Sequence, residues 1–129
     1  MGKILDKFEA NGPKNWDEQD KLEKTEKNID KISDLIKRLY AEKKQSVLLV
    51  LQGMDASGKD GLTREIFKKI SPSWVNVYSF KKPTDEEFAH DFLWRVHKHL
   101  PEKGMVQVFN RSHYEDILVP SVYGYLDKK

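Results

Sequence analysis

Seven consecutive residues have the types and spacing to hold phosphate: Gly53-Met54-Asp55-Ala56-Ser57-Gly58-Lys59. They fit the pattern G-x-x-x-x-G-K of a phosphate-binding loop. Phosphate oxygens need several converging N–H donors, and glycines let a backbone fold tightly around them. A helix starting directly after the loop adds unpaired N–H groups and the positive end of its dipole. Lys59 supplies a mobile cation for phosphoryl charge.

Two carboxylates complicate this pattern. Position 60 is Asp, where such loops usually place Ser or Thr for Mg²⁺. An acid in the first helical turn complements the helix dipole, and Asp60 fits that role. Asp55 lies inside the loop, where a carboxylate would repel phosphate unless it binds a bridging Mg²⁺. The second role is the one expected of Asp55.

The elements around the loop decide whether it can work. Val47–Leu51 is a continuous apolar run, as expected of a strand buried on both faces of a parallel sheet. A helix from Lys59 or Asp60 to Ile70 follows, with Leu62, Ile66, Phe67 and Ile70 on one stripe. Trp74–Phe80 and Met105–Phe109 read as two further strands. Thr84 with Glu87 three residues on forms a capping box, which predicts one helix running to about Leu100. Its inward residues would be Phe88, Phe92, Leu93, Val96 and Leu100. Residues 112–119 read as a short helix stopped by Pro120. Upstream, residues 17–44 form a long amphipathic helix with apolar positions at Leu22, Ile29, Ile32, Leu35, Ile36, Leu39 and Tyr40. Asp17 or Asn15 caps it. Residues 1–16 read as an irregular lead-in. Alternation of strand and helix predicts an α/β fold with a parallel sheet of about three strands and flanking helices. Residues 17–129 then form a single domain, incomplete by the resemblance described below.

Composition narrows the classes. The 129 residues hold 23 basic and 21 acidic side chains, a net charge of +2. That balance argues against a dedicated nucleic-acid binder. The absence of cysteine excludes disulfides, thiolate nucleophiles and cysteine-held zinc. There is no apolar run long enough for a membrane helix and no signal-peptide pattern, so a cytoplasmic location is expected. His97 and His99 stand at i,i+2 on the predicted helix and point to different faces, so they are not expected to share a metal. His90 and His113 are expected to act as structural hydrogen-bonding groups.

Three segments together resemble the polyphosphate kinase 2 family. Gly53 to Gly61 is similar to its G-x-D-x-x-G-K-x-G loop. Phe80-Lys81-Lys82-Pro83-Thr84-Asp85-Glu86-Glu87 resembles its basic F-K-x-P-T-x-E-E segment. His90 to Arg95 and Phe109 to Asp116 resemble its H-D-F-L-W-R and F-N-R-S-H-Y-E stretches. The resemblance implies a kinase core of the phosphate-loop type and Mg²⁺-dependent phosphoryl transfer between polyphosphate and a nucleoside mono- or diphosphate. The nucleotide would be an adenine or guanine nucleotide, and the assembly a homo-oligomer. By position, Gly53, Met54, Ala56, Ser57, Gly58, Lys59, Asp60 and Gly61 would hold phosphate. Lys81 and Lys82 would line a path for the polyanion. Asp55, Lys59 and Arg111 would act in catalysis, and Asp55 would hold the metal. Asn110 stands where such folds usually place a metal-binding Asp, and Glu115 is a further metal candidate.

Members of the family are about twice this length, so the chain is expected to be an N-terminal portion without the lid and the remaining core. A second reading is a phosphate- or polyphosphate-binding fragment or remnant without turnover. A third is a nucleoside monophosphate kinase-like protein, which Asp60 and Asn110 count against.

Overall fold

The computed structural model describes residues 17–54 and 56–114. Helix α1 spans Glu18–Glu42. The Asp17 side chain accepts from the Gln19 amide and caps its start. Lys43, at φ 50°, ends it by donating its backbone N–H to Leu39 O. Strand β1 is Val47–Leu51, helix α2 Lys59–Phe67 and strand β2 Val75–Ser79. Two short helices, α3 at Asp85–Phe88 and α4 at Trp94–His97, precede strand β3 at Val106–Asn110.

The three strands are parallel in the order β1-β3-β2. Val106 pairs with both Val47 and Val75, and Asn110 with both Leu51 and Ser79. Side chains alternate across the sheet, so β3 feeds two cores. On one face Val106 and Val108 pack with Ile36 and Ile70, bordered by Ile32, Leu39, Phe67 and Trp74 from the helical side. On the other, Phe109 packs with Phe80 and Val96, with Tyr78 and Leu93 against them. Burying a Val or Phe completely contributes about 1.5–3 kcal/mol each. The central strand, with Val108 and Phe109 essentially inaccessible, therefore anchors the fold.

Helix α2 ends at Phe67, short of the expected Ile70, and Leu62 is exposed instead of lying on its inward stripe; three further expectations change. Strand β1 is not buried on both faces: among the described residues it lies at a sheet edge, with Leu48 39% and Val50 42% exposed. The expected helix over 84–100 is two helices. The Asp91 side chain accepts from the Leu93 amide and its carbonyl from the Trp94 amide, which closes a turn and starts α4 anew. Phe88 is consequently 84% exposed, and Phe92 and Leu100 also face solvent, while Leu93 and Val96 face inward as expected. In α1 the buried stripe passes through Ile29 and Ile36, leaving Leu22 and Leu35 outside it. The expected helix over 112–119 lies mostly outside the described residues. Among the described residues no helix is long and apolar enough to cross a membrane.

Candidate functional site

Because the strands are parallel, their carboxyl ends share one edge of the sheet. The loops after β1, β2 and β3 meet there, as is usual for ligand sites in open α/β sheets. The loop after β1 is the glycine-rich segment. Gly58 sits at φ 88°, a conformation that side chains disfavour, and turns the chain directly into α2. It offers no side chain to cap α2, so no side chain caps the first turn's amides. Gly53 leaves room for another group: a Cβ there would stand 2.8 Å from Ser57 Oγ, which would have to turn away.

Lys59 folds back over this loop. Its Nζ donates to Gly53 O at 2.7 Å, Met54 O at 2.6 Å and, more weakly, Ser57 Oγ at 3.3 Å. The ammonium therefore sits inside the loop's curve, held by carbonyls that a phosphate oxygen can replace. Thr63 Oγ1 donates to Lys59 O and steadies the first turn of α2.

A cleft of about 240 Å³ joins this loop to the end of β3. Ser57, Gly58, Lys59 and Asp60 line it from one side, and Asn110 and Arg111 from the other. Ala56 and Arg111 have φ of 62° and 72°. Such angles are uncommon outside glycine, and both residues border the cleft. Arg111 is held in place by its backbone, whose N–H donates to Leu51 O at 2.9 Å. Beneath it, the buried Ser112 hydroxyl donates to Gln52 Oε1 at 3.1 Å and accepts from the Tyr114 amide. The loops after β1 and β3 are thus fastened to each other.

Asp60 is exposed and lines the cleft, and its Oδ1 accepts from Asn110 Nδ2. Asn110 Oδ1 is buried without a hydrogen-bond partner. That oxygen turns away from the cleft, so the Asp60 carboxylate is the hard oxygen donor there of the kind Mg²⁺ takes. Among the described residues no group of three or more His, Cys, Asp or Glu gathers to form a metal cage. Asp55 and Glu115 lie outside the described residues.

Lys81 and Lys82 are exposed in the loop after β2. With β3 between them, β1 and β2 run about 10 Å apart. The two lysines therefore stand on the same sheet edge as the glycine-rich loop but do not line its cleft.

Sequence reasoning missed the group that shapes this second loop. Arg95 is 4% exposed. Its Nη1 donates to Lys81 O at 2.9 Å and reaches Glu87 Oε2 at 3.5 Å. Its guanidinium lies 4.9 Å from the Phe80 ring centre. Glu87 accepts in turn from the Thr84 amide at 2.8 Å, completing the expected capping box. The Thr84 amide bond, helped by Arg95, holds the Glu87 carboxyl below the usual glutamate range despite partial burial. The signal was available: an Arg between Trp94 and Val96, on the buried stripe of its helix, must bring a partner into the interior.

The histidines divide. His90 Nδ1 contacts Glu86 O at 2.8 Å and its ring stacks on Trp94. His113 Nδ1 is buried without a hydrogen-bond partner, and its ring stacks on Tyr114. His99 stacks on Tyr78 with ring centres 3.5 Å apart, and burial pushes its pKa down.

The family model described as "Polyphosphate kinase 2 (PPK2)" matches residues 15–129. The chain belongs to the polyphosphate kinase 2 family. It is 52% identical over 96 residues to the AMP/ADP-polyphosphate phosphotransferase of Meiothermus ruber, covering 74% of this chain and 35% of the relative. The ADP-polyphosphate phosphotransferase of Rhodopseudomonas palustris is 47% identical over 95 residues, again covering 74% of this chain and 33% of the relative. Among solved structures, polyphosphate kinase 2 from Arthrobacter aurescens superposes with a TM-score of 0.75 at 42% identity, covering 81% of this chain and 38% of that one. A polyphosphate kinase 2 homologue from Pseudomonas aeruginosa gives 0.84 at 27% identity, with 97% and 26% covered. The chain spans about a third of the length of the curated relatives it matches. The α/β architecture with a three-stranded parallel sheet and flanking helices is thus a polyphosphate kinase 2 arrangement.

Proposed function

We propose that this chain carries the phosphate-handling core of a polyphosphate–nucleotide phosphotransferase. The observation that carries this reading is the cleft where the uncapped start of α2, Lys59 and Arg111 converge. The relatives named as acting on AMP, ADP and GDP with polyphosphate support both substrates.

In the reaction a terminal phosphate oxygen of the nucleotide attacks the end phosphorus of the polyphosphate chain. A new P–O bond forms, the bridging P–O bond breaks, and the electron pair leaves with the shortened chain. The reverse reaction retraces these steps. No covalent enzyme intermediate is needed, so the protein's task is positioning and charge neutralisation. The α2 amides and the loop hold the phosphoryl oxygens. Lys59 leaves the Gly53 and Met54 carbonyls to follow the charge of the transferring group. Arg111 enters from β3, and its strained backbone, tied to Leu51, fixes its approach. Lys81 and Lys82 steer the rest of the polyanion along the sheet edge. Asp60, with Asp55, would hold Mg²⁺, which when bound draws charge from the phosphoryl oxygens.

The test is Mg²⁺-dependent ATP formation from ADP and long-chain polyphosphate by the 129-residue chain, then ADP formation from AMP, with Lys59→Ala as control. Turnover lost in the control supports the reading. Phosphate binding that needs Lys59, without turnover, favours a binding core, a reading consistent with the open, solvent-facing side of the cleft at Ser57, Gly58 and Asp60.

A further inference from the structure

Gln107 is a polar side chain where the fold asks for an apolar one. It stands in β3 between Val106 and Val108 and is only 6% exposed. Buried glutamines are uncommon and are normally well bonded. This one is held loosely: its Nε2 donates to Val108 O at 3.3 Å, longer than the usual range. That bond turns the amide nitrogen toward the strand and leaves the amide oxygen to face elsewhere. Asn76 is its direct neighbour on β2, so the two carboxamides stand side by side on one face of the sheet. Among the described residues they do not bond each other. Both line a cavity of about 490 Å³, within the size range of small-molecule sites. Another wall of it is flat, formed by His99 stacked on Tyr78 with ring centres 3.5 Å apart. Burial lowers the pKa of His99 from 6.5, so this ring is uncharged at neutral pH. Lys98 at the rim already lies over the Trp94 ring, and the other charge lining the cavity is Glu102.

We infer that this cavity is a binding site for an adenine nucleoside, separate from the phosphate cleft. A carboxamide offers a donor and an acceptor in one plane, the complement of adenine's N6 amine and N7. Gln107 and Asn76 bring two such groups to the cavity, and the His99–Tyr78 pair gives a planar ring a wall to lie against. Glu102 is a carboxylate of the kind that accepts from ribose hydroxyls. With Lys98 held on Trp94, that carboxylate disfavours a ligand carrying phosphate. The cavity is not an extension of the phosphate cleft, because the two share no lining residue. Gln107 lies about 10 Å along β3 from Asn110, and β2 runs about 10 Å across the sheet from β1 and its glycine-rich loop.

The experiment is calorimetric titration of the 129-residue chain with adenosine, repeated with tripolyphosphate present in excess. Wild type, Gln107→Leu, Asn76→Ala and Lys59→Ala are compared, and purine riboside, which lacks the N6 amine, is the second ligand. Adenosine should bind at one site with a Kd below about 1 mM. Gln107→Leu should weaken it about tenfold, the usual scale for one bidentate carboxamide–base pair. Its stability in urea should stay level or rise, because a loosely bonded buried amide gives way to an apolar group between two valines. Asn76→Ala, at an exposed position on β2, should weaken binding severalfold and stands in if Gln107→Leu fails to fold by far-UV circular dichroism. Purine riboside should bind about tenfold more weakly than adenosine. Lys59→Ala and tripolyphosphate should leave adenosine binding unchanged. Absence of saturable adenosine binding overturns the inference, as does wild-type affinity in the folded Gln107 and Asn76 variants or equal binding of purine riboside. Binding that is lost in Lys59→Ala or displaced by tripolyphosphate puts adenosine in the phosphate cleft and overturns it as well.

Discussion

Replacing Arg95 by Ala tests whether one buried cation shapes the loop after β2. The side chain is 4% exposed, so its bonds are not shared with bulk water. It donates to Lys81 O at 2.9 Å, and a hydrogen bond from a charged donor contributes about 1.5–3 kcal/mol. Its guanidinium over Phe80 adds about 0.5–2 kcal/mol. The contact with Glu87 is longer, at 3.5 Å, and Glu87 keeps its bond from the Thr84 amide, so little is lost there. The buried stem also leaves space beside Phe80 when it is removed. The loss should be about 3 kcal/mol, at the severe end for a point substitution. At about 4–8 °C per kcal/mol for a domain near 100 residues, Tm should fall by about 12–24 °C. Urea denaturation followed by circular dichroism measures the first quantity and a thermal scan the second. Arg95→Lys keeps the charge and one donor but loses the planar fork, and should lose about half as much. A loss below about 1 kcal/mol for Arg95→Ala would refute the reasoning, because that is the range of an ordinary exposed side chain.

Glu87 titrates below its ordinary value of 4.5, chiefly because the Thr84 amide donates to its charged form, so it stabilises the fold above that pH. As pH falls below 4.5 through the lowered folded value this contribution is lost, and the stability gap between wild type and Glu87→Gln should close over that window. His99 has its pKa lowered from 6.5 by burial, so the unfolded chain takes up protons first as pH falls below 6.5. Stability should decline from there until pH passes the folded value, and the decline should shrink in His99→Phe, measured by urea midpoints at successive pH. Gly58→Ala forces a side chain into φ 88° and should lose about 1–2 kcal/mol of stability while weakening tripolyphosphate binding. Phe88→Ser should change stability by less than about 0.5 kcal/mol, because the ring is 84% exposed; a larger loss would mean it is covered.

The strands and the long first helix were legible because their patterns are local. Val106 to Phe109 and Ile29 to Ile36 announce their periods within a few residues. The glycine-rich loop was legible because spacing alone defines it. The break between α3 and α4 was hidden because apolar spacing continues across it, while the Asp91 side chain quietly closes a turn. The exposed edge of β1 was hidden because an apolar run does not reveal strand order. Asp60 and Asn110 are fifty positions apart, and no local pattern announces their bond. Arg95 was passed over because its partner is a backbone carbonyl, which every residue has. What sequence supplies is the inventory of reactive groups, whereas their pairings depend on topology.

The strand order has a consequence in time. Among the described residues, strands β1 and β2 pair only with β3, which is the last of the three to be synthesised. Until residue 110 is available the first two strands have no ladder to join. At about 5–20 residues per second, translation leaves both without their partner for several seconds. Neither of the first two strands can pair with the other across the gap that β3 fills, so this ladder forms only once the middle strand is available. The same event brings Asn110 to Asp60 and Arg111 to the glycine-rich loop, so the cleft is completed at the moment the sheet is.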